Sequence, residues 1–484
     1  MIYILSLLPI LILVVLSLAR GVKVAVMVGW AATTVLFFYW GAGGSQYLAA
    51  LGVSLLTTLN ILLIVLGAVF LYNIMAQTEM ITQISHSLDG LHPSKEIRFF
   101  LLALGLSAFF EGVAGFGTPG AIVPLILMAI GFSAVLSVSV VLLFDGMVAL
   151  FGAVGTPILI GLQVPLGLSA EEVNAIGIIA ALMIALAGVP MLLLVFRMVA
   201  KEHGPLEHKK KVLVLYAFFA IPFCVFAWLV PELATILGAL TMLGLSVLYL
   251  GRGKSKIDLK PWLPYGVLAL LLLLPKLWEP LRMWIGWELV FPEMFGTAIR
   301  GAIRPLGSPF LPFVVVGLGV AYFKKSKSLY LSGPLKKMGD VFVVLFPSVA
   351  IAQLMIYSGE TQPSMVRYIA EMMSAMGQAY VVVAPFVGVM GTFITGSTTI
   401  SNVVFGASQS ETAMSLNIAP TTILALQLTG ASIGNAICLF NIIAAASVAN
   451  IKDYRTILSN NMLPTLLAAL LVGLLGMGWL VLGN

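Results

Sequence analysis

Apolar runs of hydrocarbon length follow one another along almost the whole chain, separated by short polar turns. A run of about 20 apolar residues crosses about 30 Å of hydrocarbon as a helix. The pattern predicts crossings at 2–19, 22–40, 47–76, 133–162, 173–199, 212–230, 233–250, 262–282, 309–323, 338–357, 419–449 and 463–482. The short alternating segments of a membrane barrel are not seen, so the predicted class is an all-α polytopic membrane protein. The first run lacks a basic leader and a small-residue cleavage site, and it is read as a retained helix.

Two further apolar segments, 99–131 and 378–409, are interrupted at their middles. The first holds Phe109 to Val123, FFEGVAGFGTPGAIV; the second holds Thr392 to Phe405, TFITGSTTISNVVF. Clustered glycines, and Pro119 with its missing amide donor, break a continuous helix. Open backbone at bilayer depth is tolerated only where protein buries it or where it lines a water-filled cavity. Both segments are therefore expected to enter and return on the same side, as re-entrant hairpins.

Charge decides the topology. With both segments re-entrant and the two chain ends outside, 20 of the 25 lysines and arginines fall on one side, and only Lys276, Arg282, Arg300, Arg304 and Arg367 fall on the other. Such a bias marks the cytoplasmic side. If only the first segment spanned, Lys209–Lys211 and the loop 324–337 would lie outside.

The same topology exposes a repeat. Three crossings, a hairpin and two crossings make one unit, 1–199; residues 200–261 form a two-helix connector; and 262–484 repeats the first plan with every element reversed. Glu111 and Thr395 lie 284 residues apart, and the crossings that begin at 133 and 419 lie 286 apart. Inverted repeats with the ligand where broken segments meet are a secondary-transporter plan.

Composition agrees, with 61% hydrophobic and 9% charged residues and a mean hydropathy of +1.10. The net charge of +6 needs no acidic partner such as nucleic acid, because cytoplasmic loops account for it. Cys224 and Cys438 lie in apolar runs, which argues against a disulfide framework.

Chemistry concentrates at the breaks. Thr118-Pro119 reads as a cap and first-turn proline, and Ser401-Asn402 as caps of the second returning leg. Two helix starts converging at mid-membrane depth offer free amides and positive dipole ends to an anion. Gly115, Gly117, Thr118, Thr395, Gly396, Ser397, Thr398, Thr399, Ser401 and Asn402 form the candidate substrate site. A single serine or threonine would be read as close helix packing, and it is the pairing of the clusters that suggests a site. Two more breaks, Gly152 to Pro157 and Thr429 to Asn435, add Thr156, Thr429, Ser432 and Asn435 as candidate lining, although a plain kink explains the first equally well.

Glu111 and Asp145 are the deepest acids. A carboxylate there must be neutral, paired or facing water, which suits reversible protonation. Glu111 is the expected proton-coupling residue; Asp145 shares the proton, binds a cation or caps a break. His86, His92, His203 and His208 fall in predicted loops and are expected to be solvated. No metal-binding, P-loop, dinucleotide or nucleophile-elbow pattern occurs, so neither an enzyme nor an ATP-driven pump is supported, and no cofactor is expected beyond a coupling ion.

EGVAGFGTP at 111–119 and FITGSTTISNVVFGASQ at 393–409 resemble motifs of the lactate permease family of 2-hydroxymonocarboxylate transporters. The resemblance implies proton-coupled uptake of lactate or glycolate across the cytoplasmic membrane, two inverted repeats, and an elevator-like movement in a homodimer. It matches Glu111, Gly115, Gly117 and Thr118 to the first motif, and Thr395, Gly396, Ser397, Ser401 and Asn402 to the second. This chain departs from the family's pattern at Thr398, where an acid is frequent, at Asp145, where an amide is expected, and at Asn435, where lysine is common. Those departures leave sodium coupling, or a related organic acid, as the alternative.

Overall fold

The computed structural model describes residues 1–87, 92–115, 117–250, 260–303, 305–306, 310–325, 329 and 331–483. Arg252, Lys254, Lys256, Arg304 and Lys327, counted above for the charge bias, lie outside the described residues.

The chain opens with α1 (Ile2–Arg20), α2 (Val22–Tyr39) and α3 (Gly44–Gln77), followed by the short α4 (Met80–Ser87). The first interrupted segment has an inbound leg, α5 (Lys95–Phe100), a π-helical turn Leu101–Leu106 and α6 (Ser107–Val113), and an outbound leg, α7 (Thr118–Ala129). Next come α8 (Ala134–Val148), α9 (Gly152–Ile158) and α10 (Val164–Leu166), pieces of one broken helix, and the uninterrupted α11 (Ala170–His203). They are followed by α12 (Lys209–Leu229) and α13 (Ala234–Leu250). The later half has α14 (Leu263–Leu277), α15 (Glu279–Ile285), α16 (Phe310–Phe323) and α17 (Ser332–Ile356). After these come α18 (Met365–Ser374), the second pair of legs α19 (Tyr380–Thr395) and α20 (Thr398–Ser415), then α21 (Pro420–Gly434), α22 (Leu439–Val448) and α23 (Tyr454–Gly483).

The protein is thus an all-α polytopic membrane protein, and among the described residues ten helices are long and apolar enough to cross a bilayer. The segment expected to cross at 262–282 is instead two pieces. Pro275 lies inside α14, and Trp278 is extended, with φ −127° and ψ 100°, so the helix stops there. The following loop pairs β1 (Leu289–Phe291) antiparallel with β2 (Gly301–Ile303), a ribbon the hydrophobic pattern does not predict. Asn60 of α3 donates to the Ala302 carbonyl at 2.9 Å and ties this ribbon to the bundle.

The legs of each interrupted segment lie side by side. Phe99 and Phe132, near the two ends of the first, approach to 4.2 Å between ring centroids. In the second, Gln409 of α20 donates to the Ala384 carbonyl of α19 at 3.2 Å, and Ser401 donates to the Gly388 carbonyl at 3.0 Å. Each segment therefore leaves near where it came in. The root of the first is held by Glu96, whose carboxylate accepts the amides of Glu207 and His208 at 3.1 Å each. Beside it the rings of His92 and His208 meet edge to face at 5.8 Å, and His203 packs on Phe132 at 4.4 Å. His92 and His208 are half-buried rather than fully solvated, while His203 is exposed as expected, and desolvation, with Lys211 adding to it, moves the His92 pKa below its ordinary value.

Two bodies share the molecule. One holds α1, α2, α3, α16 and α17; the other holds the two pairs of legs with the broken helices, α11 and α23. An apolar layer joins them, with Ile10, Leu13 and Ile351 from the first body meeting Ile160, Val403 and Phe405 from the second. At one end the turns of the first body are locked to each other, as Trp40 donates to the Pro363 carbonyl at 3.1 Å and Gln46 to the Tyr357 carbonyl at 3.0 Å. The opposite end carries Arg20, Lys23 and Lys95.

Helices α19 and α21 touch backbone to backbone. A methyl group on Gly388 would sit 2.5 Å from the Ala431 nitrogen and the Gln427 carbonyl oxygen, and one on Gly434 would sit 2.7 Å from the Val389 carbonyl oxygen. Small residues at such crossings let membrane helices gain dispersion contact where no hydrophobic drive exists. Gly388→Val is expected to cost at least about 1–3 kcal/mol, read as a drop of several degrees in the unfolding midpoint in detergent. An unaltered midpoint contradicts this packing.

Candidate functional site

Both chain reversals use a left-handed glycine. Gly117 has φ +79° before α7, and Gly396 has φ +76° before α20. A side chain there would strain the turn, so glycine fixes where each returning helix begins. The start of α20 is capped by Ser397, whose hydroxyl accepts from the Ile400 amide at 3.3 Å. That lies four residues ahead of the expected Ser401-Asn402 cap, because the turn is made at Gly396. In the first segment Gly117 takes the cap position without a side-chain bond. Thr118, the expected cap, instead donates its hydroxyl back to the Gly115 carbonyl at 2.7 Å and closes the turn.

The helix after each hairpin also comes apart. Past Val148 the chain makes a 3-10 turn, and Ala153, Val154 and Gly155 are left-handed, with φ of +43°, +55° and +74°. Such values are strained for alanine and valine and persist only where the surroundings enforce them. The break therefore goes beyond a proline kink. In the second case α21 runs unbroken to Gly434, and the unwound stretch is 435–438, later than the sequence suggested. Thr429 donates within its helix to the Ala425 carbonyl at 2.7 Å, and Ser432 donates to the Gly146 carbonyl of α8 at 2.8 Å. Ser432 thus ties α21 to α8, and neither residue lines the cavity.

The unwound stretches bring the two tips to one place. A side chain at Gly115 would meet Ala153, and one at Gly396 would meet Phe440 at 3.2 Å, while Asn441 Oδ1 stands 3.7 Å from the same position on Gly117. The beginning of α22 is thus wedged between the tips. Beside it lies a cavity of about 640 Å³. Its inner wall carries Glu111, Gly117, Ala153, Thr156, residues 395–400, Asn435, Phe440 and Asn441; its other wall is Arg20–Lys23 and Asp340, Val341, Val344 and Leu345.

Of the expected substrate residues, Gly117, Thr395, Gly396, Ser397, Thr398 and Thr399 line this cavity, and so do Glu111, Thr156 and Asn435. Gly115, Thr118, Ser401 and Asn402 do not. Asn402 is fully enclosed and donates to the Pro157 carbonyl at 3.1 Å, while its own carbonyl accepts from Gln427 at 3.3 Å. From there a buried ladder runs through Gln409, which donates to Gln427 at 2.9 Å, to Tyr380, which donates to Gln409 at 2.6 Å. Asn402 thereby secures the second hairpin to the first broken helix.

Glu111 and Asp145 are 5% and 1% exposed and lie within hydrogen-bonding reach of each other. Asn441 donates to Asn435 at 2.8 Å, and Asn435 donates to Asp145 Oδ2 at 3.0 Å, so a polar chain leads from the cavity wall to the acids. Glu111 Oε2 and Asp145 Oδ1 have no other partner. No lysine, arginine or histidine is buried among the described residues. Two adjacent ionised carboxylates with no cation beside them are too costly in such a place, so at least one proton sits on the pair. A methyl on Gly152 would collide with the Glu111 carboxylate, which is thus held from both sides.

Sequence reasoning missed the second wall. Arg20 and Lys23 flank a corner at Gly21, with φ +85°, and had been read only as loop charges. Lys23 approaches Asp340 at 3.8 Å, whereas Arg20 has no ionic or hydrogen-bonding partner among the described residues. Asn441 was also missed; an amide in an apolar run two residues after a helix start was the available signal.

A family model described as L-lactate permease matches residues 3–260 and 306–481. The chain is similar to a putative L-lactate permease of Haemophilus influenzae, 26% identical over 98% of this chain and 97% of that one. It is also similar to an L-lactate permease of Streptococcus iniae, 28% identical over 74% of this chain and 79% of that one. A glycolate permease of Escherichia coli is 24% identical over 77% of this chain and 76% of that one.

Asn402→Ala removes the side-chain donor to the Pro157 carbonyl and one of the two acceptors of the Gln427 amide nitrogen, whose other acceptor is Ser401 at 3.3 Å. The expected loss is about 1–3 kcal/mol of stability, seen as a lower unfolding midpoint, with ligand affinity little altered in the protein that remains folded. Weaker ligand binding at an unchanged midpoint would put Asn402 in the cavity wall.

Proposed function

The chain belongs to the L-lactate permease family, and on that footing we propose that it is a secondary carrier of a small 2-hydroxymonocarboxylate, lactate or glycolate, driven by protons. A multi-pass membrane transporter is what the family and the ten long apolar helices indicate. The narrower reading rests chiefly on one observation: both hairpin tips border a single cavity together with Glu111, which has the second buried acid, Asp145, beside it.

The cavity supplies what a hydroxy acid needs. The first amides of α20 have no partners within their helix and stand at the positive end of its dipole, a ready seat for a carboxylate. Hydroxyls of Thr398 and Thr399 and the amides of Asn435 and Asn441 provide donors and acceptors for a second polar group. Glu111, at the cavity surface, takes a proton from the water there, and the proton offsets the substrate's charge while the loaded site is carried. That removes the cost of moving a bare anion through a low-dielectric region.

In this reading the legs enter the bilayer from opposite faces and the end carrying Arg20, Lys23 and Lys95 is cytoplasmic, as the positive-inside bias requires. The cavity mouth lies at that end, which makes this the inward-open state. The hairpin body then slides along the apolar layer against α1, α2 and α17 to expose the same site outward, an elevator-like form of alternating access. The family match and the relatives named for lactate and glycolate transport support the substrate class.

Proteoliposomes under an imposed pH gradient, offered a panel of labelled acids with and without sodium, test the proposal. Lactate or glycolate is expected to accumulate with the proton gradient and without sodium. Glu111→Gln is expected to lose at least about tenfold in gradient-driven accumulation while keeping counterflow of labelled substrate. Full accumulation by that variant removes Glu111 from coupling, and a strict sodium requirement replaces the proton with that ion. Thr399→Ala is expected to raise the half-saturating substrate concentration about five- to tenfold; an unaltered value removes the Thr399 hydroxyl from the substrate's contacts.

A further inference from the structure

We propose that Arg20, on the wall opposite the hairpin tips, grips the substrate's carboxylate, so that the acid is held between the start of α20 and this guanidinium. The inference deepens the carrier reading above and rests on it.

The charges around the cavity point this way. Its deep side presents Glu111, with Asp145 directly behind, and no basic residue is buried among the described residues to offset them. A carboxylate pressed against that side is repelled. Across the cavity stand two cations, and they are not equivalent. Lys23 is engaged by Asp340 at 3.8 Å, while Arg20 makes no ionic or hydrogen-bonding contact among the described residues. The left-handed Gly21 turns the chain between α1 and α2 so that the last side chain of the one and the first turn of the other border the same space. An unengaged guanidinium offers a planar fork that takes a carboxylate through two parallel bonds, which an ammonium group does not reproduce.

The orientation of the substrate follows. Its carboxylate lies toward Arg20 and the free amides of α20, and its 2-hydroxyl lies toward Asn441 and Glu111. A neutral analogue of the same shape gains nothing from Arg20. The grip also joins the two bodies, because Arg20 sits on α1 while the tips belong to the hairpin body. An acid seated here bridges the parts that must slide, and it must release Arg20 before the site can be carried outward.

The test compares wild type, Arg20→Gln and Arg20→Lys in proteoliposomes, with labelled lactate counterflow as the assay and lactamide, the uncharged amide of lactate, as a competing inhibitor. Arg20→Gln is expected to raise the half-saturating lactate concentration about tenfold or more, with lactamide inhibition unchanged. Arg20→Lys keeps the loop's positive charge, and so the chain's orientation, and is expected to fall between the other two. Lactate half-saturation unaltered in Arg20→Gln overturns the proposal. Equal weakening of lactate and lactamide overturns it too, since Arg20 would then shape the cavity without meeting the charge. Failure of the wild type to carry any 2-hydroxy acid overturns the carrier reading first, and this assignment with it.

Discussion

A helix that stops in the middle of a bilayer leaves amides and carbonyls with neither a helical partner nor water, and each costs several kcal/mol in hydrocarbon. Among the described residues there are four such interruptions, around Gly115 and Gly117, at 149–155, at 396–397 and at 435–438. None is tolerable alone against lipid, and together they are, because they enclose a common polar space. Ala153 sits against Gly115, Phe440 against Gly396 and Asn402 against the Pro157 carbonyl. Each broken helix therefore packs on the hairpin of its own half, and Asn402 reaches across to the broken helix of the other half. The cavity is the consequence of gathering these ends, and its polar character needs few charged side chains.

What charge remains is distributed by the same constraint. The two buried acids face each other in a region without a buried base, and the asparagines 435 and 441 satisfy part of their demand. The cations stay at the water-exposed mouth, where hydration makes them affordable. In the carrier proposed above, an organic anion in between would meet attraction from the mouth and from the helix starts, and repulsion from the deep acids unless a proton arrived with it. Under that proposal the arrangement links the two solutes without any direct bond between them.

Much of this could be read in the sequence, and the failures have physical causes. Glycine and proline clusters located both hairpins and the strained turn at 152–157, because only a few residue types suit a reversal at depth. Ser397 to Thr399 and Glu111 were singled out by rarity, since polar groups in hydrocarbon-length runs are costly. The caps were misplaced: Ser401 and Asn402 are good capping residues by type, yet Gly396 turns the chain early and leaves them to bond Gly388 and Pro157 across the body. Thr429 and Ser432 misled for a similar reason, as glycines around them mark close approach to α19 and not an unwound stretch. The wall with Arg20 and Asp340 was invisible, because it depends on which distant helices become neighbours.

The most direct measurement places a single cysteine at Thr399 in a Cys224→Ala, Cys438→Ala background and follows its alkylation by a membrane-impermeant maleimide. With the reagent at the cytoplasmic face, Thr399→Cys is expected to react, and lactate at saturating concentration is expected to slow that reaction several-fold. Reaction at a rate indifferent to lactate, or no reaction from either face, would contradict a substrate cavity gathered around the hairpin tips.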